Sequence, residues 1–391
     1  MKITNVRTIC LKYDYKKPTI DALSTTKSRQ CVIVLIDTDE KITGIGEAAY
    51  FGGPTISTKT IIEKELKPEL IGEDPFKVER IWKKLFSTSY YHGRRGLVLT
   101  CIGAIDIALW DIIGKYCHLP VYKLCGGYRD KILAYASGGI YQEGKGIQEL
   151  VKEVQGYVEK GFKAVKMKVG RNKNLPLSPL EVITDNQGTI SLEEDLERVR
   201  AVRKAIGKDI YLMVDANNSW TPSIAIQMGR EFEKLGIYWL EEPVQTDDIR
   251  GSKQVAEALD LQIAGYESEQ GLFGYRELIV RQAVDIVQPD PTWVGGFSEA
   301  KKIAHLAQAY GMLCIPHSWN SGVSVKINSH FIASISNSQM IELDRNFNPL
   351  RDELLLDPIE IDKEGYYHLS EKPGFGIEFN ENILKKYTVE D

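Results

Sequence analysis

The chain has 391 residues, too many for one ordinary single-core domain, so we expect two domains or a large α/β barrel with an added domain. Lysines and arginines number 49 against 54 aspartates and glutamates, which leaves a net charge of −5. This balance argues against a nucleic-acid protein, because such proteins bind by neutralising phosphates.

Six cysteines are scattered through hydrophobic segments and form neither a C-x-x-C pair nor a zinc-like spacing, so we expect buried, reduced thiols. The first residues, MKITNVRTICLKY, alternate like a strand and lack the charged segment and long apolar run of a targeting peptide. No run of about 18 consecutive apolar residues occurs. We therefore expect a cytoplasmic protein that binds neither membranes nor nucleic acids.

In chain order, the first strands are expected at Ile3–Leu11 and Cys31–Asp37, and the second is followed by a turn and GIGEAAY. Three helical patterns come next: IIEKELKPELIG, FKVERIWKKLF and LVLTCIGAIDIALWDIIGKYCH. The last has the length and continuous hydrophobicity of a buried helix. Strands followed by helices predict an α+β unit, which we assign to residues 1–128.

From about Lys131 the sequence alternates between short apolar runs and segments of helix length. The runs are KILAYAS, KAVKMKV, YLMVDAN, IYWLEEP, LQIAGYE, VDIVQPD, MLCIPHS and QMIELD. Eight βα units predict a parallel (β/α)₈ barrel over residues 129–356, whose chemistry lies at the carboxyl ends of its strands. We expect residues 357–391 to return and pack on the N-terminal unit.

Acidic residues end three successive predicted strands at equal spacing. Asp215 and Glu241 are 26 residues apart, and so are Glu241 and Glu267. One such residue alone could cap a helix or pair with a lysine. Three in register would converge, and three unpaired negative charges in a cleft are costly unless a cation joins them. Hard oxygen ligands with room for water and substrate favour Mg²⁺ over zinc.

The same spacing continues through Asp290, His317 and Glu342, each of which ends an apolar run. Neighbouring strand ends would let Asp290 accept a hydrogen bond from one nitrogen of His317, which fixes the tautomer and raises the basicity of the other nitrogen. A lone histidine after a proline is more often structural. Its place in the repeat nevertheless predicts that His317 is an oriented base.

Lys166 and Lys168 lie on one face of the strand that precedes Asp215, because side chains alternate with a period of two. A lysine base must lower its pKa from about 10.4 to about 7–8, and a neighbouring lysine and a nearby Mg²⁺ both act in that direction. We predict that Lys168 is the base and that Lys166 tunes it and holds a substrate carboxylate. The alternative is a solvated pair on an edge strand.

A metal flanked by a lysine base and a histidine base predicts removal of the proton α to a carboxylate. Bases of these two types with Mg²⁺ are the pattern of the enolase superfamily. The sequence resembles the mandelate racemase subgroup of that superfamily over essentially the whole chain. The motifs that carry the resemblance are KMK (166–168), DAN (215–217), WLEEP (239–243), AGYE (264–267), QPD (288–290), PHSW (316–319), IELD (341–344) and GAIDIALWDIIGK.

The resemblance implies a role for each matching position. Asp215, Glu241 and Glu267 would be the Mg²⁺ ligands, Lys168 one base, and His317 with Asp290 the other. Glu342 would be a hydrogen-bonding acid near the enolate oxygen, and Asn217 a substrate contact. The resemblance also implies a small-molecule carboxylate substrate, a homo-oligomer (dimer or octamer), and an N-terminal capping domain whose loops around 14–28 and 50–54 close over the substrate.

More locally, CIGAIDIALWDIIGK, VGGFSEAKKIA, PHSWNSGV and IELDRNFNPLRDEL resemble the branch that contains galactarolactone and anhydrogalactonate cycloisomerases. Two departures bear on the substrate. The segment between KVG (168–170) and EEDLERVRAV (193–202) is longer than the family pattern by about twenty residues, and loops on that face of a barrel line the site. Tyr266 replaces a small residue before the third ligand, which would narrow the pocket.

Three other functions compete with the leading hypothesis. The first is a two-base racemase or epimerase, because bases on opposite faces permit both reactions. The second is a glycosidase with Glu241 and Glu242 as acid and nucleophile, which is disfavoured because adjacent strand residues point to opposite faces. The third is a non-catalytic binding protein, disfavoured because no expected catalytic position is lost. The leading hypothesis is a Mg²⁺-dependent sugar-acid dehydratase or lactone/anhydro-sugar cycloisomerase.

Overall fold

The computed structural model describes residues 1–49, 55–173 and 189–389. Three antiparallel strands open the chain: β1 (Ile3–Ile20), β2 (Thr25–Thr38) and β3 (Thr43–Ala48). The first two form a long hairpin whose tip turns at 21–24. The predicted first strand was therefore too short. The loop expected around 14–28 is largely the paired end of this hairpin, while 50–54 lies outside the described residues.

The helices of this unit pack on one face of the sheet. They are α1 (Thr55–Thr60), which continues through a π-helical turn (Ile61–Leu66) into α2 (Lys67–Leu70), then α3 (Val78–Thr88), α4 (Tyr90–Gly93), α5 (Leu97–Tyr116) and α6 (Val121–Leu124). By length and composition α5 could cross a membrane, with a mean hydropathy of 1.9, but 83% of the window that meets this criterion is buried inside the protein. The predicted buried helix is thus confirmed.

Two glycines of GIGEAA bring α5 unusually close to β3. A Cβ added at Gly44 would lie 2.1 Å from the carbonyl oxygen of Ala108, and one at Gly46 would lie 2.0 Å from that of Ala104. Real side chains do not fit at such distances, so glycine is required at both positions. The backbone N–H of Ile45 donates to Asp111 Oδ2 on the same helix at 2.9 Å, which fixes the register of helix against strand.

Eight parallel strands follow, as predicted: β4 (Lys131–Gly138), β5 (Ala164–Lys168), β6 (Tyr211–Asp215), β7 (Trp239–Glu241), β8 (Gln262–Gly265), β9 (Ile286–Val287), β10 (Leu313–Cys314) and β11 (Met340–Asp344). Their hydrogen-bonded order is β10-β9-β8-β7-β6-β5-β4-β11. This curled sheet, together with the N-terminal sheet, is the architecture of a capping domain on a TIM-type barrel.

Helices connect these strands. They are α7 (Ile147–Glu159), α8 (Leu192–Ile206), α9 (Pro222–Lys234), α10 (Ile249–Ala258), α11 (Gly271–Val280), α12 (Phe297–Ala309), α13 (Gly322–Ala333) and α14 (Pro349–Asp352). The eighth is a single turn. The start of α8 is fixed by a capping box, in which Ser191 Oγ accepts from the backbone N–H of Glu194 at 3.1 Å and Glu194 Oε2 accepts from that of Ser191 at 2.6 Å.

The C-terminal segment contacts both units. Strand β12 (Tyr366–His368) pairs antiparallel with β4, and helix α15 (Glu381–Tyr387) lies near the chain end. The backbone N–H of Phe375 donates to Asp111 Oδ1 on α5 at 2.9 Å, and that of Val389 donates to the Cys10 carbonyl on β1 at 2.9 Å. The segment therefore joins the end of the chain to its first strand.

None of the six cysteines, all of which lie in the described residues, forms a disulfide. Cys10, Cys31, Cys101 and Cys314 are buried, as expected, but Cys117 is exposed and Cys125 is half-buried. Cys117 caps the carboxyl end of α5, where the helix leaves the core. The expectation of burial was wrong for this residue, because the apolar segment around it ends one residue earlier.

Candidate active site

The interior of the barrel explains which residues point into the site. Ala164, Met213 and Trp239 belong to a buried cluster formed by one inward-facing residue from each strand. Side chains two positions further along a strand share its face. On these three strands the residues two positions on are Lys166, Asp215 and Glu241, all at the carboxyl end of the barrel.

The three predicted metal ligands come together. Asp215 and Glu241 end β6 and β7 and pair in register, while Glu267 lies just beyond the end of β8. Carboxylate oxygens from all three lie within 4.8 Å of one another. Burial raises the pKa of Glu241 to about 8 and also raises that of Glu267. The cluster therefore favours either protonation or a bound cation.

Lys166 is fully enclosed by acidic groups. Its Nζ contacts Glu241 Oε1, and lies 2.9 Å from Glu342 Oε1 and 3.7 Å from Asp215 Oδ2. Burial alone would lower the pKa of Lys166, but Glu241 and Glu342 outweigh this effect and raise it well above the usual value. Lys166 is therefore an ammonium that neutralises the acidic cluster rather than a solvated surface charge.

Lys168 contacts Asp215 Oδ2, and its Nζ lies 5.2 Å from the centre of the Trp319 ring. Burial acts to lower the pKa of Lys168, but the carboxylates of Asp215, Glu267 and Glu241 together outweigh burial and the charge of Lys166, so the net shift is upward. The sequence argument, which predicted a lowered pKa, omitted this contact with Asp215. A base at this position requires the negative charge of Asp215 to be shared with another cation.

His317 is oriented as expected. Its Nδ1 lies 3.0 Å from Asp290 Oδ2, and Asp290 Oδ1 in turn accepts hydrogen bonds from the backbone N–H and the hydroxyl of Thr292, at 2.9 and 2.7 Å. The other ring nitrogen, Nε2, lies 3.7 Å from Glu267 Oε2. Burial would lower the pKa of His317, but Glu267 and Asp290 raise it to about 9. The positively charged imidazolium form of His317 is therefore favoured at neutral pH.

Glu342 and Asn217 also lie at the site. Glu342 Oε2 accepts a hydrogen bond from the backbone N–H of Ser318 at 3.0 Å. Burial opposes ionisation of Glu342, but Lys166 and His317 lower its pKa to about 2, so the group is a carboxylate beside these cations. Asn217 has φ +40°, and its buried Oδ1 has no hydrogen-bond partner among the described residues.

A cavity of about 450 Å³ opens above these groups. Its barrel side includes Lys168, Asn217, Glu267, His317 and Trp319. Its opposite side is the hairpin tip, from Thr19 to Arg29. A side of the site is therefore built from the N-terminal domain. Most of the long segment 171–192 lies outside the described residues.

Tyr266 does not narrow this cavity, contrary to the sequence interpretation. Its φ is +72°, and its hydroxyl donates to Ser252 Oγ on α10 at 2.9 Å. A left-handed residue reverses the strand alternation at this point. The ring therefore packs into the protein, and Glu267 rather than Tyr266 faces the cavity.

Sequence reasoning missed two residues at the cavity, Arg29 and Trp319. Arg29 is 6% exposed and donates to Asp344 Oδ2 at 2.8 Å and to the Trp319 carbonyl at 2.7 Å, so it ties the hairpin to the barrel. Its guanidinium carbon also lies 5.2 Å from the centre of the Trp319 ring. Trp319 adjoins the predicted PHSW histidine, but no spacing rule links it to a residue 290 positions earlier.

The donor set fits a hard divalent cation. Three carboxylates supply oxygen atoms, no thiol or imidazole nitrogen belongs to the set, and Glu267 borders the cavity where a substrate would enter. Two side chains donate hydrogen bonds to Glu241 Oε2: Gln288 Nε2 at 3.0 Å and Trp239 Nε1 at 2.9 Å. Glu241 Oε1 therefore faces the cluster.

Two known families match most of the chain. Residues 3–126 match the mandelate racemase / muconate lactonizing enzyme N-terminal domain, and residues 149–383 match the enolase C-terminal domain-like family. The chain belongs to the mandelate racemase / muconate lactonizing enzyme family of the enolase superfamily. The resemblance stated from the strand-end motifs is confirmed.

Individual relatives cover the whole chain. It is 38% identical to an arabinonate dehydratase of Saccharolobus solfataricus over 98% of this chain and 99% of that protein. It is 34% identical to a D-galactarolactone cycloisomerase of Agrobacterium fabrum over 100% of both. Among solved structures, a racemase from Streptomyces coelicolor A3(2) with bound magnesium is 28% identical, with a TM-score of 0.87 over 99% of this chain and 100% of that one.

Proposed function

We propose that this protein is a Mg²⁺-dependent lyase or isomerase of a sugar acid, that is, a dehydratase or a lactone/anhydro-sugar cycloisomerase. The observation that carries the proposal is one cavity lined together by Lys168, His317 and Glu267. The relatives named an arabinonate dehydratase and a galactarolactone cycloisomerase support the same substrate class.

The two bases approach the cavity from different sides. Lys168 ends β5 and His317 follows β10, and these strands are far apart in the order of the sheet. In the proposed reaction Lys168 removes the α-proton, and the electron pair then forms a carbon–carbon double bond as the β-substituent leaves. His317 gives its proton to the departing oxygen, and the resulting enol becomes a 2-keto acid.

The acidic cluster and Lys166 make this proton transfer feasible. Asp215, Glu241 and Glu267 would hold Mg²⁺, which when bound supplies positive charge that stabilises the carboxylate-derived anion. Lys168 then loses part of the stabilisation that its ammonium receives from Asp215, which lowers its pKa toward the range of a base. Lys166 adds a fixed positive charge beside Glu342.

A two-base epimerase remains the second candidate, because Lys168 and His317 both reach the cavity. In that reaction His317 would return a proton to the opposite face of the α-carbon. Asp290 is outside the proposed ligand set, and its contact with Nδ1 favours the protonated form that either reaction needs from His317. What differs is whether the substrate carries a leaving group at the β-carbon.

The test is incubation of the purified protein with MgCl₂ and a panel of aldonates, aldarates and their lactone or anhydro forms, followed by NMR. We expect a 2-keto acid from at least one compound and no reaction in EDTA. Inversion at the α-carbon with the skeleton unchanged would favour the epimerase. Turnover in EDTA would contradict both candidates.

We also propose a division into residues 1–128, 129–356 and 357–391, a homo-oligomeric state and a cytoplasmic location. Six cysteines without a disulfide support a reducing compartment. Size-exclusion chromatography with light scattering would test the oligomeric state.

A further inference from the structure

The polar belt, which we define as Asn218, Glu242, Thr246 and Ser268, runs across the loops that carry the three acidic ligands. Asn218 lies three residues beyond Asp215, Glu242 directly follows Glu241, and Ser268 directly follows Glu267. Each ligand loop therefore contributes one member. Thr246, on the loop between β7 and α10, supplies the link between the outer two.

The belt is continuous from β6 to β8. Asn218 Nδ2 donates to Glu242 Oε2 at 2.5 Å, and Thr246 Oγ1 donates to Asn218 Oδ1 at 3.1 Å. The hydroxyls of Thr246 and Ser268 are 2.9 Å apart. Because the Thr246 proton is already directed at Asn218, Ser268 must be the donor in this pair.

Backbone bonds strengthen the connection at its buried end. The N–H of Asn218 donates to the Glu242 carbonyl at 2.7 Å, and the N–H of Glu242 donates to the Ala264 carbonyl on β8 at 2.9 Å. Asn218 and Glu242 adopt left-handed conformations, with φ +63° and +41°. Non-glycine residues hold such conformations only when their surroundings fix them, and the belt supplies those contacts.

Lys166 and Lys168 offset part of the negative charge of the ligand cluster, and the polar belt restrains the loops that carry it. The three carboxylates of the cluster lie within 4.8 Å of one another, and like charges at this separation repel strongly in a buried site. None of the belt members belongs to the ligand set or lines the cavity described above. Their hydrogen bonds therefore act on the loops and not on substrate.

We propose that the polar belt positions the three carboxylates for a divalent cation, with Thr246 as the link that joins the second and third ligand loops to the first. This inference rests on the proposed function, because it assumes that Asp215, Glu241 and Glu267 bind Mg²⁺. Thr246 is a positioning residue, and it acts through Asn218 and Ser268.

The decisive variant is Thr246→Val, which keeps the shape of the side chain and removes both hydroxyl links. Thr246→Ser is the conservative rescue. Thr221→Val is the matched control on the loop between β6 and α9, where the hydroxyl reaches, among the described residues, only Ser223 Oγ at 3.2 Å. The measurement is isothermal titration with MgCl₂, repeated with MnCl₂, and thermal unfolding in EDTA on the same samples.

We expect Thr246→Val to weaken Mg²⁺ binding by about tenfold, the lower end of the effect of removing a group that bonds a metal ligand directly, because Thr246 acts through Asn218 and Ser268. Thr246→Ser and Thr221→Val should bind like wild type, and all three should unfold in EDTA within about 3 °C of it. Unchanged affinity in Thr246→Val would overturn the belt's role. A wild-type protein that binds neither cation would instead overturn the proposed function.

Discussion

At the scale of single residues, the site depends on charges that are buried together. Lys166 is 1% exposed and Asp215 is fully buried, so neither exchanges its partner for water. Removing one member of such a pair leaves the other charge unpaired, which costs more than the pair itself contributes. The same reasoning applies to Arg29 and Asp344, which join the hairpin to the barrel.

Replacing Arg29 with methionine should therefore destabilise the protein by about 2–4 kcal/mol, because the one cation that Asp344 then keeps among the described residues is Arg351, at 3.5 Å. The measurement is urea unfolding followed by circular dichroism. Arg7→Met is the control, since the Arg7 side chain is 49% exposed and pairs with Asp37 at the surface. We expect a change of less than about 1 kcal/mol there. Equal losses in both variants would contradict the role of Arg29.

Residue types at strand ends were predictable, because the barrel repeats and each repeat places its last residue at the same edge. Asp215, Glu241 and Glu267 were found in this way, and so was the pairing of His317 with Asp290. The direction of the shift in the Lys168 pKa was not predictable, because it depends on the contact with Asp215 on the neighbouring strand. Arg29 was missed for a similar reason: its partners are distant in sequence.

At the scale of elements, close packing of α5 on β3 holds the N-terminal domain together. Gly46→Ala should lower the free energy of unfolding by about 3 kcal/mol, because the added Cβ would lie 2.0 Å from the Ala104 carbonyl oxygen and the backbone of the strand or the helix must move. Gly156→Ala is the matched control: this glycine lies within α7 and a Cβ there meets nothing within 4 Å. The free energy of unfolding of that variant should rise by about 0.5–1 kcal/mol. Urea unfolding of both would show whether the close approach, and not alanine itself, determines the loss.

Helix α13 carries a histidine whose charge state links stability to pH. His330 Nδ1 accepts the backbone N–H of Tyr122 at 3.2 Å, and burial lowers the pKa of His330 to about 3. The unfolded chain takes up a proton near pH 6.5 but the folded chain does not, so stability is full above pH 7 and falls as the pH decreases.

When the pH falls from 7.5 to 5, the His330 imidazole should lower the free energy of unfolding by about 2 kcal/mol. His330→Gln removes the titrating group, so the difference between variant and wild type should shrink over the same interval. Urea midpoints at the two pH values measure the effect. An identical pH dependence in the two proteins would show that His330 does not contribute.

At the scale of the whole molecule, the order of the elements was predictable, but the contacts between distant parts of the chain were not. Eight apolar runs at regular spacing predict eight strands, and all eight occur. The sequence predicts two short strands joined by a loop where the structure has the hairpin that covers the site. Asp14–Ser28 is polar and gives no apolar strand pattern, although the two arms pair with each other there. The return of the C-terminal segment to β4 likewise depends on a partner more than 200 residues earlier.

Proton abstraction by Lys168, assisted by His317 from the other side of the cavity, is the central step of the proposed reaction. These roles separate in D₂O, because exchange of the α-proton needs only the base, whereas product formation also needs the acid. The Lys168→Met variant should lose both, and His317→Asn should keep exchange while product formation falls by about 10²-fold or more.

The measurement we would make first is proton NMR of α-deuterium incorporation into a sugar acid that the wild type consumes, in MgCl₂ and in EDTA, for these two variants and wild type. We expect Mg²⁺-dependent incorporation in wild type and in His317→Asn, and none in Lys168→Met. Incorporation at the wild-type rate in Lys168→Met, or in EDTA, would contradict the proposed reaction.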